Sequence, residues 1–194
     1  MIVIGVPVDK NFTIDVRTAA YCSAEASRPG VTWGYVSSRD AGVGRSTFVY
    51  KALKNPEVTH LYFMDYDVVP PNGTLQKLLE YDLPIVAGIY PMTAGIPVWS
   101  FKAGNDWFPK HREILTDRLC EVDCLAGSTL LVKREVFEKL PSPPFKIEYK
   151  AVTDKGRCYD EGEDEYFSRI AKEAGYKLMV DPTIICKHYN YGEI

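Results

Sequence analysis

Two aspartates one residue apart, Asp65 and Asp67, close the apolar run Leu61-Tyr62-Phe63-Met64 in the stretch HLYFMDYDVVPP (60–71). Residues two apart on an extended chain project to the same side. Both carboxylates are therefore expected to face one small volume, where their repulsion calls for a cation. A hard dication, Mg2+ or Mn2+, suits oxygen donors and keeps coordination positions open for phosphate oxygens. The plainer reading is an acidic strand-to-loop turn, because D-x-D recurs by chance. Three other features bear on the choice. His188 lies at the far end of the last strand, and imidazole suits Mn2+ as a third ligand, although a lone histidine is commonly structural. Glu163 and Asp164 open a helix, where acidic side chains also simply complement the helix dipole, as Asp160, Glu161 and Glu165 would. Gly127, in CLAGSTLLVKREVF, permits close backbone approach, or marks a bulge.

The elements that must position these groups alternate along the chain. Residues 1–8, 31–38, 58–65 and 83–91 read as strands. Helical patterns fall at about 13–27, at 44–56 (Phe48, Val49, Ala52 and Leu53 on one face) and after Pro70-Pro71, where Leu75, Leu78 and Leu79 turn inward. This β-α-β-α-β-α-β order predicts an α/β fold, a mostly parallel sheet with helices on both faces. From 92 to 124 the period changes, and short antiparallel strands with a loop are expected. Residues 124–140 read as a strand entering a helix, and the Pro- and Gly-bearing stretch 141–160 as a loop. The helix at 163–175 has the strongest pattern, with Tyr166, Phe167, Ile170, Ala171 and Ala174 on one face and Gly175 at a capping position. Residues 176–188 read as the final strand. In a parallel sheet, ligands collect beyond the carboxyl ends of the strands, which is where Asp65 and Asp67 fall.

Bulk properties narrow the class. The 194 residues are 46% apolar and 25% charged, with a net charge of −3. That suits one globular domain and lacks the basic footprint of a nucleic-acid or anionic-membrane binder. No apolar run approaches a membrane span, and the first residues read as a strand rather than a signal peptide. Five scattered cysteines (22, 120, 124, 158 and 186) argue for free thiols and a reducing, cytoplasmic setting. Trp99, Trp107 and Phe108 are candidates either for stacking on a sugar or for packing over the open end of the sheet.

Taken together, VIGVPVD, GRSTFVYKAL, YFMDYDVVPPNGTLQKLL, VDCLAGSTLLVKREVFEKL and GEDEYFSRIAKEAGYKLMVDPTIICKH resemble the nucleotide-binding, acidic-motif and acceptor-side segments of a GT-A-fold glycosyltransferase of the broad family-2-like, nucleotide-sugar-dependent kind. The resemblance runs nearly end to end. It implies one GT-A domain over 1–194, with residues 1–91 as the nucleotide-sugar half and 92–194 as the acceptor-binding and catalytic half. It implies a hexosyltransferase-class enzyme that moves a sugar from a UDP- or GDP-sugar to a saccharide or other hydroxyl acceptor, with Mn2+ or Mg2+ as cofactor. Asp65, Asp67 and His188 would hold the metal. Asp164 would be the general base, with Glu163 as fallback or acceptor ligand. Pro7, Asp9, Ser37, Arg39, Arg45, Asp65 and Tyr66 would line the donor site, and Trp99, Trp107, Gly127 and Glu163 the acceptor site. The segment YVSSRD departs from the family pattern, with Ser37 and Ser38 where acidic residues are usual.

Two other readings remain at this point. LYFMDYDVV also matches the pattern of a haloacid dehalogenase-like phosphatase with Asp65 as nucleophile. Against that, two strands precede it and Val68-Val69-Pro70-Pro71 replaces the usual threonine. A non-catalytic nucleotide- or carbohydrate-binding domain would use the same residues without turnover. A P-loop is not supported, since AGVGRST lacks its first glycine and has Arg45 in place of lysine.

Overall fold

The computed structural model describes residues 1–91, 98–103, 106–109, 118–152 and 158–189. Strand and helix alternate through the first half: β1 (Ile2–Val8), α1 (Val16–Ala26), β2 (Val31–Ser37), α2 (Ala41–Lys54), β3 (His60–Phe63), the two-residue β4 (Val68–Val69), α3 (Thr74–Glu80) and β5 (Ile85–Ile89). There follow β6 (Val98–Ala103), β7 (Asp106–Pro109), β8 (Cys120–Val122), β9 (Cys124–Leu125), β10 (Leu130–Lys133), α4 (Arg134–Lys139), β11 (Glu148–Val152), β12 (Cys158–Glu161), α5 (Glu163–Glu173), β13 (Leu178–Ile185) and β14 (Lys187–His188).

Seven strands form the central sheet in the order β2-β1-β3-β10-β5-β13-β8. β1 runs parallel to β2 and β3, and β13 runs parallel to β5. β10 lies antiparallel between β3 and β5, and β8 antiparallel at the edge. The sheet is thus mostly parallel, as the strand–helix alternation predicts. A smaller antiparallel sheet, β7-β6-β9, occupies the region where the period changes. Central strands are apolar on both faces because both faces are covered. One apolar cluster joins α2, α4 and α5 to the sheet through Phe48, Val136, Phe137 and Phe167. The other joins α1 and α3 through Tyr21, Cys22, Leu75 and Leu78. No helix among the described residues is long and apolar enough to cross a membrane.

Local chemistry sets the element ends. Asp15 caps α1 by accepting from the Arg17 backbone N–H, and Asp40 caps α2 by accepting from that of Val43. The second cap starts α2 at Ala41, three residues before the expected 44. α5 ends in a left-handed Gly175 (φ +87°). Tyr176 N–H donates to the Ala171 carbonyl and Gly175 N–H to that of Lys172, which satisfies the last turn. Two expectations need correction. The third strand stops at Phe63, short of Asp65, because the chain turns there and Val68 N–H donates to the Asp65 carbonyl. The stretch 141–160, expected to be a loop, contains the antiparallel ribbon β11–β12. Arg169 of α5 clamps both of its strands, through Glu148 at 3.2 Å and Glu161 at 2.9 Å.

α5 carries Glu163 and Asp164, so its seating matters for the site. Phe167 is fully buried and stacks on Phe145 at 4.6 Å between centroids. Phe145 in turn meets Phe63 edge-on at 5.3 Å. Phe167→Ala is expected to cost about 3–5 kcal/mol of folding stability, measured as a lower urea midpoint with an unchanged slope.

Candidate functional site

The carboxyl ends of β1, β3 and β5 open onto a pocket of about 370 Å³. Pro7, Asp9, Arg39, Arg45, Asp65, Tyr66, Asp67, Glu163, Asp164 and His188 all line it. Ser37 and Gly127 do not, and the side chains of Trp99 and Trp107 lie outside the described residues. Ser37 Oγ instead donates to the Asp9 backbone carbonyl at 3.0 Å and braces that loop.

Asp65 and Asp67 share the pocket, but not because they project from one extended strand. Residues 65–68 form a turn, and the two carboxylates have different partners. Asp65 Oδ1 accepts from Arg45 Nη2 at 2.6 Å, while Asp67 Oδ2 lies 3.2 Å from His188 Nε2. The Asp65 backbone N–H donates to Ser128 Oγ at 2.8 Å, which pins the turn. Burial raises the Asp65 pKa against the opposing pull of Arg45.

His188 arrives from 121 residues away because β13 shifts register between Val180 and Ile185, and β14 then pairs with β4, setting His188 opposite Val68. Its Nδ1 lies 2.8 Å from the Pro91 carbonyl, which can only accept, so Nδ1 carries a proton. That leaves Nε2 aimed at a carboxylate oxygen. Two lone pairs at that distance repel, so the position between them favours a cation, either a proton on Nε2 or a metal ion. Burial opposes the charged imidazole, yet the hydrogen bonds to Asp67 and Pro91 and the charges of Asp67 and Asp65 together outweigh it, and the His188 pKa is raised.

This arrangement fits a divalent metal in part. A carboxylate and an imidazole, the latter oriented by a backbone carbonyl, make a donor set suited to Mn2+. No ready group of three potential ligands exists among the described residues. Asp65, partly exposed to the pocket, has one oxygen committed to Arg45. An ion held by Asp67, His188 and the second oxygen of Asp65 would need most of its shell from substrate oxygens and water.

Arg45, which the resemblance assigns to the donor site, lines the pocket, although an arginine on an outer helix face is commonly solvated. It is instead buried, with a side chain 2% exposed. Its Nη1 donates to Glu163 Oε1 at 3.1 Å and Asp164 Oδ1 at 3.2 Å, and its Nη2 to Asp65. Gly127 explains how it fits: a Cβ there would collide with the guanidinium carbon. The glycine thus makes room for a side chain of the protein. Burial pushes the Asp164 carboxyl up to about 7, against the pull of Arg45 and with the push of Glu163. A carboxylate tuned near neutrality at a pocket wall is suited to taking a proton.

The nucleoside-side candidates are more open. Arg39 is 93% exposed and lies 3.8 Å from Asp40. Asp9 accepts from the backbone N–H groups of Thr13 and Asn11, and the first of these chiefly lowers its pKa. Asp40, Tyr90 and Ala126 also line the pocket and carry no signal singled out in the sequence, and Ser38, a departure from the family pattern, lines it too. Tyr90 packs edge-on against His188 at 5.5 Å. Its place at the end of a parallel strand, like that of Asp65, was the available signal.

No family model matches the chain, and no curated protein matches it in sequence. Solved structures do match in shape. A197 from STIV superposes with a TM-score of 0.69 at 21% identity, over 97% of this chain and 85% of that one. The GT-A glycosyltransferase GalNAc-T7, solved with UDP, GalNAc and Mn2+, superposes with a TM-score of 0.54 at 12% identity. That match spans 96% of this chain but 43% of GalNAc-T7. With its mostly parallel seven-stranded sheet, flanking helices and small antiparallel sheet, the chain has the GT-A fold.

Proposed function

We propose that this protein is a metal-dependent glycosyltransferase that moves a sugar from a nucleotide-diphosphate sugar to a hydroxyl acceptor, a saccharide in the simplest case. One observation carries the reading. Asp65, Asp67, His188, Glu163 and Asp164, drawn from three separate stretches of chain, line one pocket at the carboxyl ends of parallel strands. The same proposal makes residues 1–91 the nucleotide-sugar half and 92–194 the acceptor-binding and catalytic half of one domain. It assigns the protein to a reducing, cytoplasmic compartment, in keeping with free thiols at Cys22, Cys120 and Cys186.

In this mechanism Asp67 and His188, with Asp65, would hold Mn2+ or Mg2+, which when bound would offset the charge of the departing diphosphate. Pro7, Asp9, Arg39 and Tyr66 border the donor. An acceptor oxygen displaces the nucleoside diphosphate at the anomeric carbon: the new C–O bond forms as the bond to the phosphate oxygen breaks. In the inverting form of the reaction, Asp164 accepts the hydroxyl proton, and such assistance contributes about 10²–10⁴ in rate. Glu163, bound to the same guanidinium, borders the acceptor.

A thermal-shift screen of UDP-, GDP-, dTDP- and CMP-sugars with and without Mn2+ tests the reading. One nucleotide class is expected to raise the melting temperature only when Mn2+ is present, because selective binding stabilises the fold by mass action. No shift with any of them overturns the proposal. Metal-dependent binding without transfer or donor hydrolysis would instead indicate a non-catalytic binding domain.

The pH profile is a second check. Asp164 must be ionised to act as a base, and its carboxyl titrates at about 7. Turnover is expected to fall roughly tenfold per pH unit below that value and to level off above it. A flat profile from about pH 5 to about pH 8 excludes Asp164 as the base.

A further inference from the structure

One guanidinium pairs with three of the carboxylates that line the pocket. Arg45 sits on α2, Asp65 follows β3, and Glu163 and Asp164 open α5, so the arginine is the point where three elements meet. Its Nη2 holds the donor-side Asp65, while its Nη1 is shared by Glu163 and Asp164. The remaining nitrogen, Nε, is buried with no hydrogen-bond partner among the described residues, so the side chain is seated for the fork rather than for its own full satisfaction. Two glycines clear the space. A Cβ at Gly127 would strike the guanidinium, and one at Gly42 would come within 2.8 Å of the Glu163 Cβ.

We infer that Arg45 is a positioning residue for transfer, tying the acidic turn that faces the donor to the helix start that faces the acceptor, so that Asp164 is aimed by the same planar group that fixes Asp65. This rests on the glycosyltransferase reading. A guanidinium is rigid and forked, whereas an ammonium is a point charge. Lysine at position 45 keeps the charge but cannot hold three carboxylates at set angles. Misaiming a catalytic group by about 1 Å costs on the order of 10²-fold in rate without any loss of charge.

The test uses Arg45→Lys and Gly127→Ala, the second of which displaces the guanidinium while removing no ionisable group. UDP with Mn2+ serves as the binding probe, and turnover is read with the UDP-sugar that most stabilises the wild type. Both variants are expected to lose on the order of 10²-fold in kcat, a larger loss than any weakening of UDP–Mn2+ binding that reaches the metal through Asp65. Unchanged kcat in both variants overturns the inference. A loss carried wholly by UDP–Mn2+ affinity, with kcat unchanged, does so too, since the aim of Asp164 would then be untouched. The tie is also read without activity. Melting-temperature shifts of Asp65→Asn and Asp164→Asn are expected to be non-additive with arginine at 45 and additive with lysine there. Additivity in both backgrounds overturns the tie. Non-additivity in a wild type that binds no nucleotide leaves the tie standing and removes the glycosyltransferase reading.

Discussion

Asp164→Asn is expected to lower turnover by about 10²–10⁴-fold while UDP still binds with Mn2+. The two outcomes separate because Asp164 lies at the start of α5, on the Arg45 side of the pocket, whereas His188 and Asp67 pair with each other on the other side. The same substitution is expected to raise the melting temperature at alkaline pH. The Asp164 carboxyl has an ordinary value of 3.8 and is pushed up to about 7 by burial in the fold. The folded protein therefore binds this proton more tightly than the unfolded chain does. Stability drains away as the pH rises from the lower value to the higher, and the cost is complete above about 7. Asparagine carries no such penalty, and Arg45 keeps Asp65 and Glu163 as partners. The gain should be largest near about pH 8 and vanish near about pH 4. Calorimetric scans at both pH values check it. Wild-type-like turnover would remove the base assignment, and an equal melting temperature at alkaline pH would contradict the burial argument.

The second large effect is expected at Asp67. Asp67→Ala should abolish both Mn2+-dependent nucleotide binding and turnover. Asp67 is 5% exposed, and His188 Nε2 points at its Oδ2. Removing it takes away one of the proposed ligands and leaves the imidazole without the group that favours a cation beside it. The loss in metal affinity should exceed the 10- to 100-fold typical of losing an outer-shell partner. Calorimetric titration of Mn2+ with UDP present measures this directly. A variant that still binds UDP only when Mn2+ is added would move the metal site elsewhere. The contrast with Asp164→Asn is the informative feature, since one variant separates binding from chemistry and the other does not.

Much of the scaffold was legible because buried elements carry their period in local composition. Strands such as Ile2–Val8 and Ile85–Ile89 are near-continuous apolar runs, as two covered faces require. α5 shows its apolar stripe and its terminal glycine openly. The acidic pair, the Glu163–Asp164 helix start and His188 stood out by residue type at element ends. The antiparallel insertion of β10 between β3 and β5 did not, because an apolar strand reads alike in either direction. Nor did the ribbon β11–β12, because Pro141, Pro143 and Pro144 before it and Gly156 between its strands carry turn signals.

What residue order determined by itself is the kind of elements present and the chemistry available at their ends. Tertiary structure alone decided which of those groups face one another. Arg45 is 118 residues from Glu163, and His188 is 121 from Asp67. No local period encodes such distances. Arg45 shows this most clearly: its spacing to Phe48, Val49 and Ala52 puts it on the inward face of α2, but only the packing of α2 against α5, across the space left at Gly127, makes it the buried centre of three carboxylates.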